Sequence, residues 1–220
     1  MTPAAYPFDE TPVPDFAQPV FVLTTPTRED VASIVADGSR YGPAVRCFLS
    51  PFDALLEMLF LRRKDPDAVK AVVRSSRLPT GIFYSSRFRQ RPLALHLAWL
   101  AHEHRLVAYR DGQLIRVARD QAGQWRARRW SRGKLGIESE TWAVLDQLHE
   151  CAGLFAWRDT LQIVHQWFAT PATAEGALQQ TLAALDAIEP IVVPADHAEQ
   201  LALYDPEAGR WHFVPRGAIV

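Results

Sequence analysis

The sequence predicts an α+β fold with N-terminal strand–helix units, a central antiparallel β-meander, and a helical C-terminal third that ends in a closing hairpin. Three observations carry this. Short β-branched runs alternate with capped helical stretches over the first eighty residues, Asp111-Gly112 splits two apolar runs, and helical periodicity dominates from Glu138 to Ile188.

The elements follow in chain order. Residues 1–18 hold four prolines and no apolar periodicity, which reads as an extended arm preceding a single α+β domain over 19–220. PVFVLTT is an apolar β-branched run and predicts a buried strand. Thr27 with Asp30 is a helix-start signal, and Val31, Ile34 and Val35 at helical spacing predict a helix over 28–37. AVRCFLS predicts a second strand. Ser50-Pro51-Phe52-Asp53 then supplies a cap, a proline at N1 and an acid at N3, so FDALLEMLFLRR is helical with Leu55, Met58 and Leu59 inward. Asp65-Pro66 predicts another short helix, DAVKAVVRSS, and GIFYSS predicts a strand.

PLALHLAWLAHEH supports two readings. Leu93, Leu95, Leu97 and Trp99 alternate as in a strand, but the Leu/Ala content and Pro92 at its start favour a helix, which is the expectation adopted. RLVAYR-DG-QLIRVAR is a hairpin signature, because Asp-Gly provides positive-φ positions for a tight turn. DQAG then leads into GQWRARRW, completing a three-stranded meander over 105–130. ETWAVLDQLHECAG is helical and stops at Gly153, RDTLQIVHQWFA is helical, and Thr170-Pro171 opens TAEGALQQTLAALDAI. PIVVP reads as a short strand, and LALYD-PEAG-RWHFVP as the closing hairpin.

Charge is segregated beneath a net of −1. Residues 1–39 balance to −5, residues 40–134 to +13, and residues 135–220 to −9. The acidic third either folds against the basic middle or leaves a charge dipole for partners. Hydrophobic residues at 48% with 22% charged exclude a disordered chain, and no apolar run is long enough for a transmembrane helix. The N-terminus lacks a basic stretch followed by an apolar one, so no secretory signal is expected. Cys47 and Cys151 share no metal-ligand spacing, and two free thiols in a cytoplasmic protein are the expectation.

The sharpest local feature is the basic segment GQWRARRWSRGK. On a strand, Arg126, Arg128, Trp130 and Arg132 share one face, with Arg116 and Arg119 on the neighbouring strand. Arginines around a tryptophan suit pairing with an acidic protein surface, and these six residues are the expected partner contacts. The same chemistry suits single-stranded nucleic acid, by phosphate pairing and base stacking.

No catalytic or metal-ligating residue is assigned and no cofactor is expected: the chain has no P-loop, no G-x-G-x-x-G, no G-x-S-x-G elbow and no calcium loop. His96, His102 and His104 around Glu103 are zinc-competent types without an H-E-x-x-H spacing. A Cys151 nucleophile would need His165 from the next helix, because His149 lies about 200° away around its own helix. The leading functional expectation is a non-enzymatic cytoplasmic protein-binding module, in one version a bacterial immunity protein that neutralises a toxin through a charged face. Nucleic-acid binding is the alternative, and a hydrolase or transferase with a His/Glu/Cys site the third.

Overall fold

A computed structural model describes residues 17–25, 33–65, 71–83, 91–121 and 134–219. Its architecture is α+β, a large mixed sheet with helices packed on it. Strand β1 (Ala17–Pro19) pairs outside the main sheet, and β2 (Phe21–Thr25) is an interior strand with Phe21, Val22 and Leu23 fully buried. Where residues of the helix expected over 28–37 are described, strand replaces helix. Its described part is two short strands, β3 (Ser33–Ile34) and β4 (Ala36–Ser39), and Thr27, Asp30 and Val31 lie outside the described residues. The reason is strand pairing: β4 folds back on β5 (Gly42–Phe48) in a tight hairpin, where Gly42 takes φ +98° and the Ser39 hydroxyl donates to the Gly42 carbonyl at 2.6 Å. Ile34 and Val35 satisfied a helical spacing while serving a ladder.

Helix α1 (Pro51–Lys64) starts where expected, with the Ser50 side chain accepting from the Phe52 N–H. Leu55, Met58 and Leu59 are buried, and so are Phe52, Leu56 and Phe60. Such a helix, apolar on nearly all sides, belongs inside a structure. It packs between the sheet and a later helix. Instead of the expected second helix, the described part of DAVKAVVRSS is strand β6 (Ala71–Arg74), paired with β2 along four residues. Two adjacent valines favour the pleated conformation. At GIFYSS, residues Thr80–Phe83 form a 3-10 turn rather than a strand, and 84–86 lie outside the described residues.

The largest correction is at PLALHLAWLAHEH, which is strand β7 (Leu93–His102), not a helix. Nine of its ten residues are buried. It is the spine of the sheet. One edge carries β5 in parallel and β12 (Gln200–Asp205) antiparallel; the other carries β8 (Arg105–Val107) and β9 (Arg116–Gln121). A strand covered on both faces loses its polar alternation and reads like a buried helix, so propensity misled. Leu93, Leu95, Trp99 and Ala101 face the main core with α1, while Ala98 and Leu100 face a second core capped by Leu148. Truncating the fully buried Leu95 to alanine would cost about 2–5 kcal/mol.

The Asp-Gly hairpin is present: Tyr109 and Gln113 close it, Ala108 bridges Leu114, and Gly112 takes φ +84°. Its two arms both continue as partners of β7. The expected third strand of the meander, GQWRARRW, lies outside the described residues. Beyond it, β10 (Lys134–Gly136) pairs with β1. The helical third follows as expected, with α2 (Ser139–Cys151), α3 (Trp157–Trp167) and α4 (Pro171–Asp186). Gly153, at φ +76°, turns the chain between α2 and α3, and Thr170 caps α4. β11 (Pro190–Ile191) adds to β8, and β12 with β13 (Arg210–Pro215) forms the closing hairpin. No helix among the described residues is long and apolar enough to cross a membrane.

Candidate functional site

Of the six expected contact residues, Arg126, Arg128, Trp130 and Arg132 lie outside the described residues. Arg116 is turned inward: its side chain is 9% exposed and pairs with Asp37. Asp37 also takes the Arg46 guanidinium, through Nε at 3.0 Å and Nη2 at 2.6 Å, and Arg46 reaches on to the buried Glu57. Two arginines and two carboxylates thus form a neutral, desolvated quartet, leaving Arg116 little surface for a partner. Arg119 sits at the surface, 2.8 Å from Glu140 of α2. With Arg63–Asp186, this is the kind of contact by which the acidic third meets the basic middle, and each such exposed pair is worth about 0–1 kcal/mol.

The histidine groups disperse. His102 pairs with Glu199, His104 packs edge-on against Phe213, and His96 is buried beside Trp99. No group of three metal-competent side chains occurs among the described residues. Cys151 is exposed, while both His165 nitrogens are engaged elsewhere, Nε2 with the Leu49 carbonyl at 2.7 Å and Nδ1 with Arg74 at 3.2 Å. The fold does not bring Cys151 and His165 together.

What the fold does assemble is a chamber of about 240 Å³ between the start of α1, the middle of β7, the α2–α3 turn and the end of β12. It opens to solvent on one side, a concave pocket rather than a sealed void. Its walls are apolar: Leu145, Leu154, Trp157, Leu161, Val164 and Leu203. Six ionisable side chains interrupt them: Asp53, His96, His149 and Tyr204, with Asp205 and Glu207.

Each polar group is placed by a local feature. Asp53 is the N3 residue of α1, carried inward because Ser50 and Pro51 set the helix start at the sheet. His96 sits at a bulge: in the pairing with β9 the register shifts between His96 and Ala98, so Leu97 is the extra residue. Consecutive strand residues normally face opposite sides, yet His96 and Leu97 both line the chamber. His149 lies flat on Trp157, with centroids 4.2 Å apart and planes 16° from parallel. Its Nδ1–H donates to the Leu145 carbonyl at 2.7 Å, which leaves Nε2 as an acceptor.

The electrostatics set protonation states. Burial pushes the Asp53 carboxyl up to about 7, and the Trp99 indole N–H, which faces it without closing a full hydrogen bond, holds it down only slightly. Burial, reinforced by the Arg116 and Arg46 guanidiniums of the quartet, pushes His96 well below the ordinary imidazole range. Burial also brings His149 down to about 4, and it raises the Tyr204 hydroxyl. Near neutral pH the chamber therefore holds two uncharged imidazoles, a phenol and a carboxyl at its titration midpoint. His96 Nδ1 is enclosed with no hydrogen-bond partner among the described residues. The rim carries Phe155, 80% exposed on the α2–α3 turn, and Thr160 donating to Glu207 at 2.8 Å.

Sequence reasoning treated Asp53 as a capping residue and His96 as part of a histidine group. Phe155, Trp157 and Tyr204 carried no site signal. An acid five residues past the end of a buried strand, inside an otherwise apolar helix start, was the one clue available.

No protein-family model, no curated protein and no solved structure matches the chain, so its own geometry has to carry the functional reading.

Proposed function

We propose that this protein binds a small, mainly apolar molecule with one uncharged hydrogen-bonding head, such as a hydroxyl or carbonyl, in the chamber of Asp53, His96, His149 and Tyr204. The observation that carries this reading is one pocket that combines apolar side chains with Asp53, His96, His149 and Tyr204. Concave apolar pockets with a few convergent polar groups and shifted acidities are the usual form of small-ligand sites. His96 Nδ1 is enclosed without a partner among the described residues, which is costly unless a bound molecule supplies one.

Each polar group has a role. The protonated Asp53 carboxyl donates to the head group, His149 Nε2 accepts from it, and the walls take the apolar remainder. A negatively charged head is disfavoured, because it would meet a partly ionised carboxylate and no facing cation. The test is a set of uncharged alcohols and ketones followed by tryptophan fluorescence and by chemical shifts, on the wild type and on Ala156→Trp, which places an indole at the chamber mouth. Saturable binding with shifts at His149 and Trp157, lost in Ala156→Trp with an unchanged circular dichroism spectrum, supports the reading. Absence of binding across the set, or binding unchanged in the variant, defeats it.

The charged-face expectation, a protein partner or nucleic acid held by Arg126, Arg128, Trp130 and Arg132, stands as a second proposal. Its support is the four arginines without an acid over 122–133, next to a partly exposed Arg119. A single-stranded oligonucleotide titrated at low salt separates its two forms, since nucleic-acid binding brings a steep salt slope and a loss on Trp130→Ala.

A further inference from the structure

Helix α3 has a second working face. Leu161 and Val164 close the chamber, while Arg158, Gln162, His165 and Gln166, on the adjoining side of the same helix, line a separate recess of about 660 Å³ with Arg74, Ser76 and Lys134. We propose that this recess is an anion site for a phosphate-bearing small molecule, with Arg74 and Lys134 as its charged donors. This inference is independent of the ligand proposed for the chamber.

Charge balance is the first support. Three cationic side chains line the recess, and no carboxylate lines it among the described residues. Arg158 is already neutralised, holding Asp146 through Nε at 2.9 Å and Nη2 at 2.6 Å. Arg74 is not. Its one hydrogen bond among the described residues goes to the His165 ring, and its Nε is enclosed without a partner. That ring is uncharged: Nε2–H donates to the Leu49 carbonyl, so Nδ1 is the acceptor for Arg74. Burial and the neighbouring Arg77 both lower the proton affinity of the Arg74 guanidinium, and no carboxylate opposes them. Lys134 makes no ion pair among the described residues, and the twelve residues before it bring four more arginines and no acid.

Donor number and space indicate the ligand class. A guanidinium fork, an ammonium, the Ser76 hydroxyl and two glutamine amides offer more donors than the two oxygens of a carboxylate accept. A phosphate monoester presents three terminal oxygens and a charge near −2, which fits two uncompensated cations. The recess volume leaves room for an organic group attached to the phosphate.

The experiment is calorimetric titration of the whole chain at low salt with inorganic phosphate, phenyl phosphate and benzoate. Phenyl phosphate is expected to bind saturably at one site, inorganic phosphate to compete for it more weakly, and benzoate to bind at least tenfold more weakly than phenyl phosphate. Lys134→Gln and Arg74→Gln should each weaken phenyl phosphate about tenfold or more, the usual effect of deleting one charged donor. If Arg74→Gln does not fold, because Arg74 also supports His165, Lys134→Gln decides alone. No saturable phosphate binding by the wild type, equal binding of benzoate, or unchanged affinity in Lys134→Gln would overturn the proposal. Inorganic phosphate binding as tightly as phenyl phosphate would overturn the ester and leave a free-phosphate site.

Discussion

Replacing Asp53 with asparagine should make the protein more stable at neutral pH, and by an amount that depends on pH in a defined way. The carboxyl titrates at about 7 in the folded chain instead of its ordinary 3.8. Each tenfold change in proton affinity is about 1.4 kcal/mol, so holding this group in the fold in its ionised form costs about 4 kcal/mol at most. The folded state binds the proton more tightly than the unfolded one, so stability is fully present below pH 4 and is lost as pH rises through 7. Asparagine keeps the shape and cannot ionise. The difference between variant and wild type should be near zero at pH 4, widen steadily up to pH 7, and stay flat above pH 8. Urea unfolding followed by tryptophan fluorescence at a series of pH values measures it, and other titrations common to both proteins cancel in the difference. A difference independent of pH, or a variant less stable than wild type at pH 8, would refute the desolvation of Asp53 in the pocket.

The opposite slope belongs to His149, whose imidazole is pushed down to about 4 by burial against Trp157. Its contribution is present above pH 6.5 and lost as pH falls through 4, about 3 kcal/mol at most, and its ring protons should titrate below pH 5 in an NMR series; an ordinary midpoint near 6.5 would contradict the burial. Glu57→Gln removes a charge from the buried quartet and leaves Arg46 and Arg116 sharing Asp37 alone, so a loss of about 3–5 kcal/mol is expected in thermal or urea unfolding. A loss under 1 kcal/mol would show that the arginines find water there.

Much of the fold was legible because its signals are local. The Ser50-Pro51 start of α1, the Asp111-Gly112 hairpin, the Gly153 stop and the closing hairpin each depend on a few neighbouring residues whose backbone preferences are intrinsic. The three C-terminal helices were readable for the same reason, since each presents one buried stripe and one wet face. Segments that failed were decided by strand partners outside their own windows: Leu93–His102 is covered on both faces, Ser33–Ser39 is held by the neighbouring strands β2 and β5, and Ala71–Arg74 by β2, some fifty residues away in the chain.

The chamber was beyond local reading for that same reason. Asp53, His96, His149 and Tyr204 come from a helix start, a bulged strand, a second helix and a hairpin, spread over 151 residues of chain. Composition and local pattern determined that the chain builds an α+β domain with segregated charge. Which arginines stay at the surface was left to folding: Arg119 does, while Arg116, on β9, is turned inward to pair with Asp37 of β4. Burial also decides which acids and imidazoles lose their charge, because desolvation depends on everything packed around a group, and a sequence window contains only its neighbours along the chain.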